Sequence, residues 1–143
     1  MTVKAILDAK GRDVVTIAPD ATLKEAAALL ASHGIGAVVV TREDGSLAGI
    51  LSERDIVRAI GSEGAAALDR KVLAFMTARV QVCREEHTVI EVMEIITEGR
   101  FRHLPVEKDG KIAGIVSIGD VVKRRIQEAE REAEEIRTYI ATA

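Results

Sequence analysis

The stretch Gly49-Ile50-Leu51-Ser52-Glu53-Arg54-Asp55-Ile56-Val57-Arg58 returns as Gly114-Ile115-Val116-Ser117-Ile118-Gly119-Asp120-Val121-Val122-Lys123. The copies lie 65 residues apart. Gly45-Ser46-Leu47-Ala48 repeats as Gly110-Lys111-Ile112-Ala113 at the same offset. Upstream the register slips to 66, where Thr22-Leu23-Lys24-Glu25 matches Thr88-Val89-Ile90-Glu91 and Ala37–Val40 matches His103–Val106. Self-similarity at a fixed period marks a duplicated supersecondary unit.

Each copy reads alike. Val14–Ile17 is a short apolar run stopped by Pro19-Asp20, a strand and a turn. Thr22-x-x-Glu25 is a capping box, and Leu23, Ala26, Ala27 and Leu30 follow at helical spacing until Gly34. Residues 36–40 form a continuous apolar strand. Asp44-Gly45 is a hairpin turn, residues 47–51 return, and residues 52–60 form a second helix. In the second copy the same elements fall at 80–83, 88–98, 103–106, 111–116 and from Ser117 onward. Each half is β-α-β-β-α, with too little sheet to close a core alone. The fold class is therefore α/β of the α+β type: two pseudo-symmetric repeats in one module, plus a long C-terminal helix. The expected boundaries are 3–61 for repeat 1, 62–70 for a linker, 71–126 for repeat 2 and 127–143 for the helical extension. Val3–Ala9 and Lys71–Met76 read as helical lead-ins.

Composition limits the function classes. The chain has 143 residues, formal charge −3 and 2% aromatics. It lacks the basic field and stacking rings that nucleic acids require. Cys83 is its single cysteine, and its three histidines are scattered, so neither a disulfide nor a metal site is expected. The longest uncharged stretch, 26–41, is too short and too broken to span a membrane. No apolar leader block opens the sequence, so a cytoplasmic protein is expected. No catalytic constellation or Gly-x-x-x-x-Gly-Lys loop is present, so an enzyme is not expected. Glu85 and Glu86 read as a solvated turn. On the last helix, Val122, Ile126, Ala129, Ala133, Ile136 and Ile140 make a heptad seam, which either lies on its own domain or joins a homodimer.

Gly-x-x-Ser-x-x-Asp is the unit with chemical content. Glycine lets a ligand approach the backbone, the serine and the helix N-terminus suit a phosphate or ribose hydroxyl, and an aspartate in the first turn accepts ribose hydroxyls. The same residues also make an ordinary helix cap. Both readings stand at this point.

The order of elements, the doubled motif, Met76-Thr77 and Arg102-His103-Leu104-Pro105-Val106 resemble a tandem pair of cystathionine-β-synthase (CBS) domains, a Bateman module. The resemblance spans about Val3–Ile126. It implies a regulatory module that binds adenosine-containing ligands in clefts between the halves, often as a homodimer acting on a separate enzyme or transporter. AMP is the leading ligand, with ADP, ATP, NADH or S-adenosylmethionine also open; no resident cofactor is implied. Carried over residue by residue, Asp55 and Asp120 hold ribose, and Ser52 and Ser117 lie near ribose or the α-phosphate. Thr16 and Val82 wall the adenine. Arg102 and His103 reach phosphate, and Arg54 adds charge to the first site. Gly36-Ala37 replaces Arg102-His103 in the first half, so the two sites are not equivalent. The alternative is a structural dimerisation module with degenerate clefts.

Overall fold

A computed structural model describes residues 1–142. The elements in chain order are α1 (Val3–Lys10), β1 (Thr16–Ile17), α2 (Leu23–His33), β2 (Ala37–Thr41), β3 (Leu47–Ser52), α3 (Glu53–Glu63), α4 (Val89–Gly99), β4 (His103–Lys108), β5 (Lys111–Ser117) and α5 (Ile118–Thr142). Two short 3₁₀ segments, Gly64–Asp69 and Val72–Ala74, lie between α3 and α4. The β-α-β-β-α reading holds for the first repeat. The linker stretch is ordered as the first 3₁₀ segment, with Ala67 fully buried. The lead-in after it forms a 3₁₀ turn in place of the expected helix.

The chain divides into two compact units that do not follow the order of the repeats. One contains residues 13–81 and the hairpin tip 108–113. The other contains residues 1–12, 82–107 and 114–142. Each repeat is thus grouped with the lead-in that precedes the other. In the first-repeat unit, the Leu23 N–H donates to the Arg70 carbonyl and the Val72 N–H to the Ala21 carbonyl, at 2.9 and 2.8 Å. In the second-repeat unit, Val89 N–H donates to Met1 and Val3 N–H to His87, both at 2.9 Å. The lead-ins are therefore equivalent at an offset of 69 residues, so Leu7 corresponds to Met76 and Lys10 to Arg79.

In the first-repeat unit, β1 pairs parallel with β2, and β2 pairs antiparallel with β3. Ala37–Val40 are all buried, as an unbroken apolar run demands. Leu23, Ala26 and Leu30 of α2 pack with Val38, Val40, Leu51, Ile56 and Val72 in one cluster. Thr22 Oγ1 accepts from the Glu25 N–H at 3.1 Å, and α2 ends at Gly34 in the left-handed region.

The two-stranded sheet β4-β5 belongs to the second-repeat unit except at its tip, residues 108–113. Asp109 and Gly110 both have positive φ, the conformation a tight hairpin needs. The strand expected at 80–83 is not formed. Only Cys83 bridges, in parallel, to Val106. In the first repeat the Val39 N–H donates across the β1 pairing, to the Val15 carbonyl. Its counterpart is Pro105, which has no N–H, so the ladder stops after one residue. The residue at the end of α4 equivalent to Gly34 is Arg100, held at φ 56°.

Candidate functional site

The two Ser-x-x-Asp units are capping boxes. Ser52 Oγ accepts from the Asp55 N–H at 3.2 Å, while Asp55 Oδ2 accepts from the Ser52 N–H at 2.9 Å and the Ser52 hydroxyl at 3.0 Å. Ser117 Oγ accepts from the Asp120 N–H at 3.1 Å, and Asp120 Oδ2 accepts from the Ser117 N–H at 2.9 Å. Both pairs are half-buried. Each cap uses one carboxylate oxygen, Oδ2; in both residues the hydrogen bonds leave Oδ1 without a donor among the described residues. Capping and ligand binding are thus compatible at the same carboxylate.

The motif glycines have a different role from the one their sequence context suggests. A Cβ on Gly49 would lie 2.5 Å from the Thr77 carbonyl oxygen and 2.9 Å from Met76 Sδ. A Cβ on Gly114 would lie 2.8 Å from both Leu7 methyl carbons. These glycines make room for the lead-in that packs on each strand, not for a ligand.

Lys10, which the motif reading did not single out, reaches the second site from α1. Its Nζ donates to Asp120 Oδ2 at 2.7 Å and to the Ile115 carbonyl at 3.0 Å. Partial burial alone would raise the Asp120 pKa. The Lys10 hydrogen bond, the Ser117 N–H and the Lys10 charge more than offset burial and hold it below the usual carboxylate value. A depressed folded-state pKa contributes stability that is present above the unfolded value of 3.8 and is lost as pH falls through the folded value. Acid titration followed by circular dichroism is therefore expected to show earlier unfolding in Lys10→Met than in wild type.

The remaining candidates are dispersed. Thr16 is exposed and lines an open pocket of about 490 Å³ with Pro19, Thr41, Arg42 and Leu73. Arg54 is exposed in the first turn of α3. Val82 is half-buried beside Cys83. Arg102 is exposed, and its carbonyl accepts from the Ile118 N–H at 2.8 Å, which fixes the start of β4 against the start of α5. His103 is half-buried at the first position of β4. Cys83 is fully buried, and burial pushes its thiol up to about 12, so it is not a nucleophile at neutral pH. Glu85 departs from the solvated-turn reading: it is half-buried and accepts from Arg12 Nε at 3.0 Å. His87 Nδ1 accepts from the Arg84 N–H at 2.8 Å and orders that loop. Among the described residues no cluster of His, Cys, Asp and Glu could hold a metal, and no helix is long and apolar enough to cross a membrane.

Comparison with known proteins agrees with this architecture. The CBS domain family matches residues 3–62 and 71–126. The CBS domain-containing protein CBSX3, mitochondrial, of Arabidopsis thaliana is 33% identical over 97% of this chain and 71% of its own length. The crystal structure of the CBS-domain containing protein ATU1752 from Agrobacterium tumefaciens is 54% identical and superposes with a TM-score of 0.83, covering 87% of this chain and 99% of that one. The CBS domain pair of protein MJ0100, solved with methylthioadenosine and S-adenosylmethionine, is 25% identical with a TM-score of 0.79, covering 90% and 98%. CBSX2, solved in complex with AMP, shares the fold at 24% identity and a TM-score of 0.72, covering 82% and 90%. With two family matches along one chain and the duplicated elements on which they fall, this protein belongs to the CBS-domain family and carries the domain in tandem.

Proposed function

We propose that the chain is a regulatory rather than catalytic module. Its Asp55 and Asp120 sites bind adenosine-containing ligands, AMP foremost, and it passes the state of occupancy to a partner enzyme or transporter. The observation that carries this reading is the doubled capping box, with Oδ1 of each half-buried aspartate left without a hydrogen bond among the described residues. A carboxylate oxygen so placed accepts a ribose hydroxyl without dismantling the helix start. The adenosine ligands of MJ0100 and CBSX2 support the same choice. In this reading Ser52 and Ser117 flank the ribose, Thr16 and Val82 border the base, and Arg54, Arg102 and His103 supply positive or polar character toward phosphate. For ligand occupancy to act as a signal, the ligand must bind one state of the module better than another.

A thermal-shift series with AMP, ADP, ATP, NAD, NADH and S-adenosylmethionine tests the proposal. A ligand that binds only folded protein raises the melting temperature by mass action. The expected result is a clear rise with AMP. No rise with any of the six at millimolar concentration, starting from ligand-free protein, would remove it.

A second reading, a structural dimer with empty clefts, is favoured by the caps themselves, since capping accounts for both motifs. The two readings share one assembly. Ile126, Ile136 and Ile140 are 53%, 60% and 69% exposed, so the seam on α5 is open at these positions. Further apolar surface lies open in a groove lined by Ile90, Met93, Thr97 and Arg125, and in another lined by Ala27, Leu30, Ile35, Ile56 and Val57. We assign these surfaces to a homodimer. Truncation after Arg125 is expected to lower the mass measured by light scattering toward that of a monomer at low micromolar concentration; an unchanged mass excludes the seam from the dimer.

A further inference from the structure

We infer that Lys10 makes the Asp120 site selective for the charge on its ligand, favouring adenosine ligands that carry a phosphate over neutral or cationic ones. The inference rests on the adenosine reading above and adds the class of ligand.

Besides Gly36-Ala37 against Arg102-His103, the two sites differ at one carbonyl and one carboxylate. In the first-repeat unit, the Ile50 carbonyl accepts from the Thr77 N–H at 2.9 Å. Arg79, the counterpart of Lys10, is exposed, and among the described residues the hydrogen bonds of Asp55 come from Ser52 alone. In the second-repeat unit, the residue equivalent to Thr77 is Asp8, inside α1. Helix geometry uses its N–H within the helix. The Ile115 carbonyl therefore takes its hydrogen bond from a side chain, and that side chain is Lys10. The same ammonium lies 2.7 Å from Asp120 Oδ2. One cation thus sits on the ribose-binding carboxylate of one site and not on that of the other.

The contact is not locked. The Lys10 side chain is 36% exposed, and lysine is a point charge on a flexible four-carbon stem. A nucleotide that places its ribose on Asp120 brings its 5′-phosphate within the sweep of that stem, and the ammonium moves from carboxylate to phosphate. A neutral nucleoside places its ribose on Oδ1 beside Lys10 and offers the ammonium no anion in return. A sulfonium ligand brings a second cation to the same place.

The test is calorimetric titration of AMP, adenosine and S-adenosylmethionine into the full chain. An Asp55→Ala background leaves the Asp120 site as the one titrated, and each ligand is run with Lys10 and with Lys10→Met. With Lys10 present, AMP is expected to bind about 10- to 100-fold more tightly than adenosine. In Lys10→Met the ratio is expected to fall by about tenfold, Arg102 and His103 keeping what remains, while S-adenosylmethionine gains affinity; Lys10→Arg keeps most of the preference. An unchanged AMP-to-adenosine ratio in Lys10→Met overturns the role of Lys10 and leaves the adenosine reading intact. Absence of binding by all three ligands overturns both. Reductive methylation of the wild-type chain, read by mass spectrometry, needs no variant: AMP is expected to slow modification of Lys10 and adenosine to leave it nearly unchanged. Equal rates with the two ligands count against the inference.

Discussion

Leu7→Ala is expected to destabilise the chain by about 2–5 kcal/mol, the range for emptying a buried leucine site. The loss should fall on the second repeat although residue 7 precedes the first. Leu7 is fully buried, belongs to the same compact unit as residues 82–107 and 114–142, and fills the space that a Cβ on Gly114 would need. Hydrogen exchange read by mass spectrometry checks the prediction. Faster exchange is expected first in α4, β4 and β5, and later in β2 and β3. Exchange that rises first in residues 37–52 would mean that the N-terminal lead-in supports the first repeat instead.

Asp120→Ala is expected to lower both stability and ligand affinity. As a simple ribose contact, Asp120 could be removed with little change in the fold. The structure gives it a second task, since its Oδ2 accepts from the Ser117 N–H and from Lys10. Losing the cap costs about 1 kcal/mol, and losing a charge-assisted contact to ligand costs about 1–3 kcal/mol of binding. Asp120→Asn separates the two tasks. It keeps an acceptor for the Ser117 N–H, so it restores the melting temperature more fully than it restores binding of AMP. If Asp120→Ala binds AMP as wild type does and only melts earlier, the aspartate is a cap and nothing more.

Most elements were legible because their causes are local. A capping box acts across three residues, so Thr22, Ser52, Thr88 and Ser117 could each be read as a helix start, and each stands at one. The Asp-Gly turns and the apolar run of β2 are legible for the same reason. The missing strand at residues 80–83 had a sequence signal, Pro105, but it acts only once the pairing partner is known. Arg100 gave no stop signal for α4, because a left-handed arginine is tolerated only when packing around the turn, here by Phe101 against Gly99, holds it there.

The candidate site divides along the same line. By itself the sequence determined the duplication, the two capping boxes, the family and the inequality of the halves at Gly36-Ala37 and Arg102-His103. These follow from spacing and residue type within a few positions. Tertiary structure alone decided which lead-in accompanies which repeat, why the motif needs glycine, and that Lys10 reaches a carboxylate 110 residues away. Those contacts join segments whose separation along the chain leaves no periodic trace. They arise because two equivalent lead-ins offer alternative partners to two equivalent strands, and packing, not sequence proximity, chooses between them.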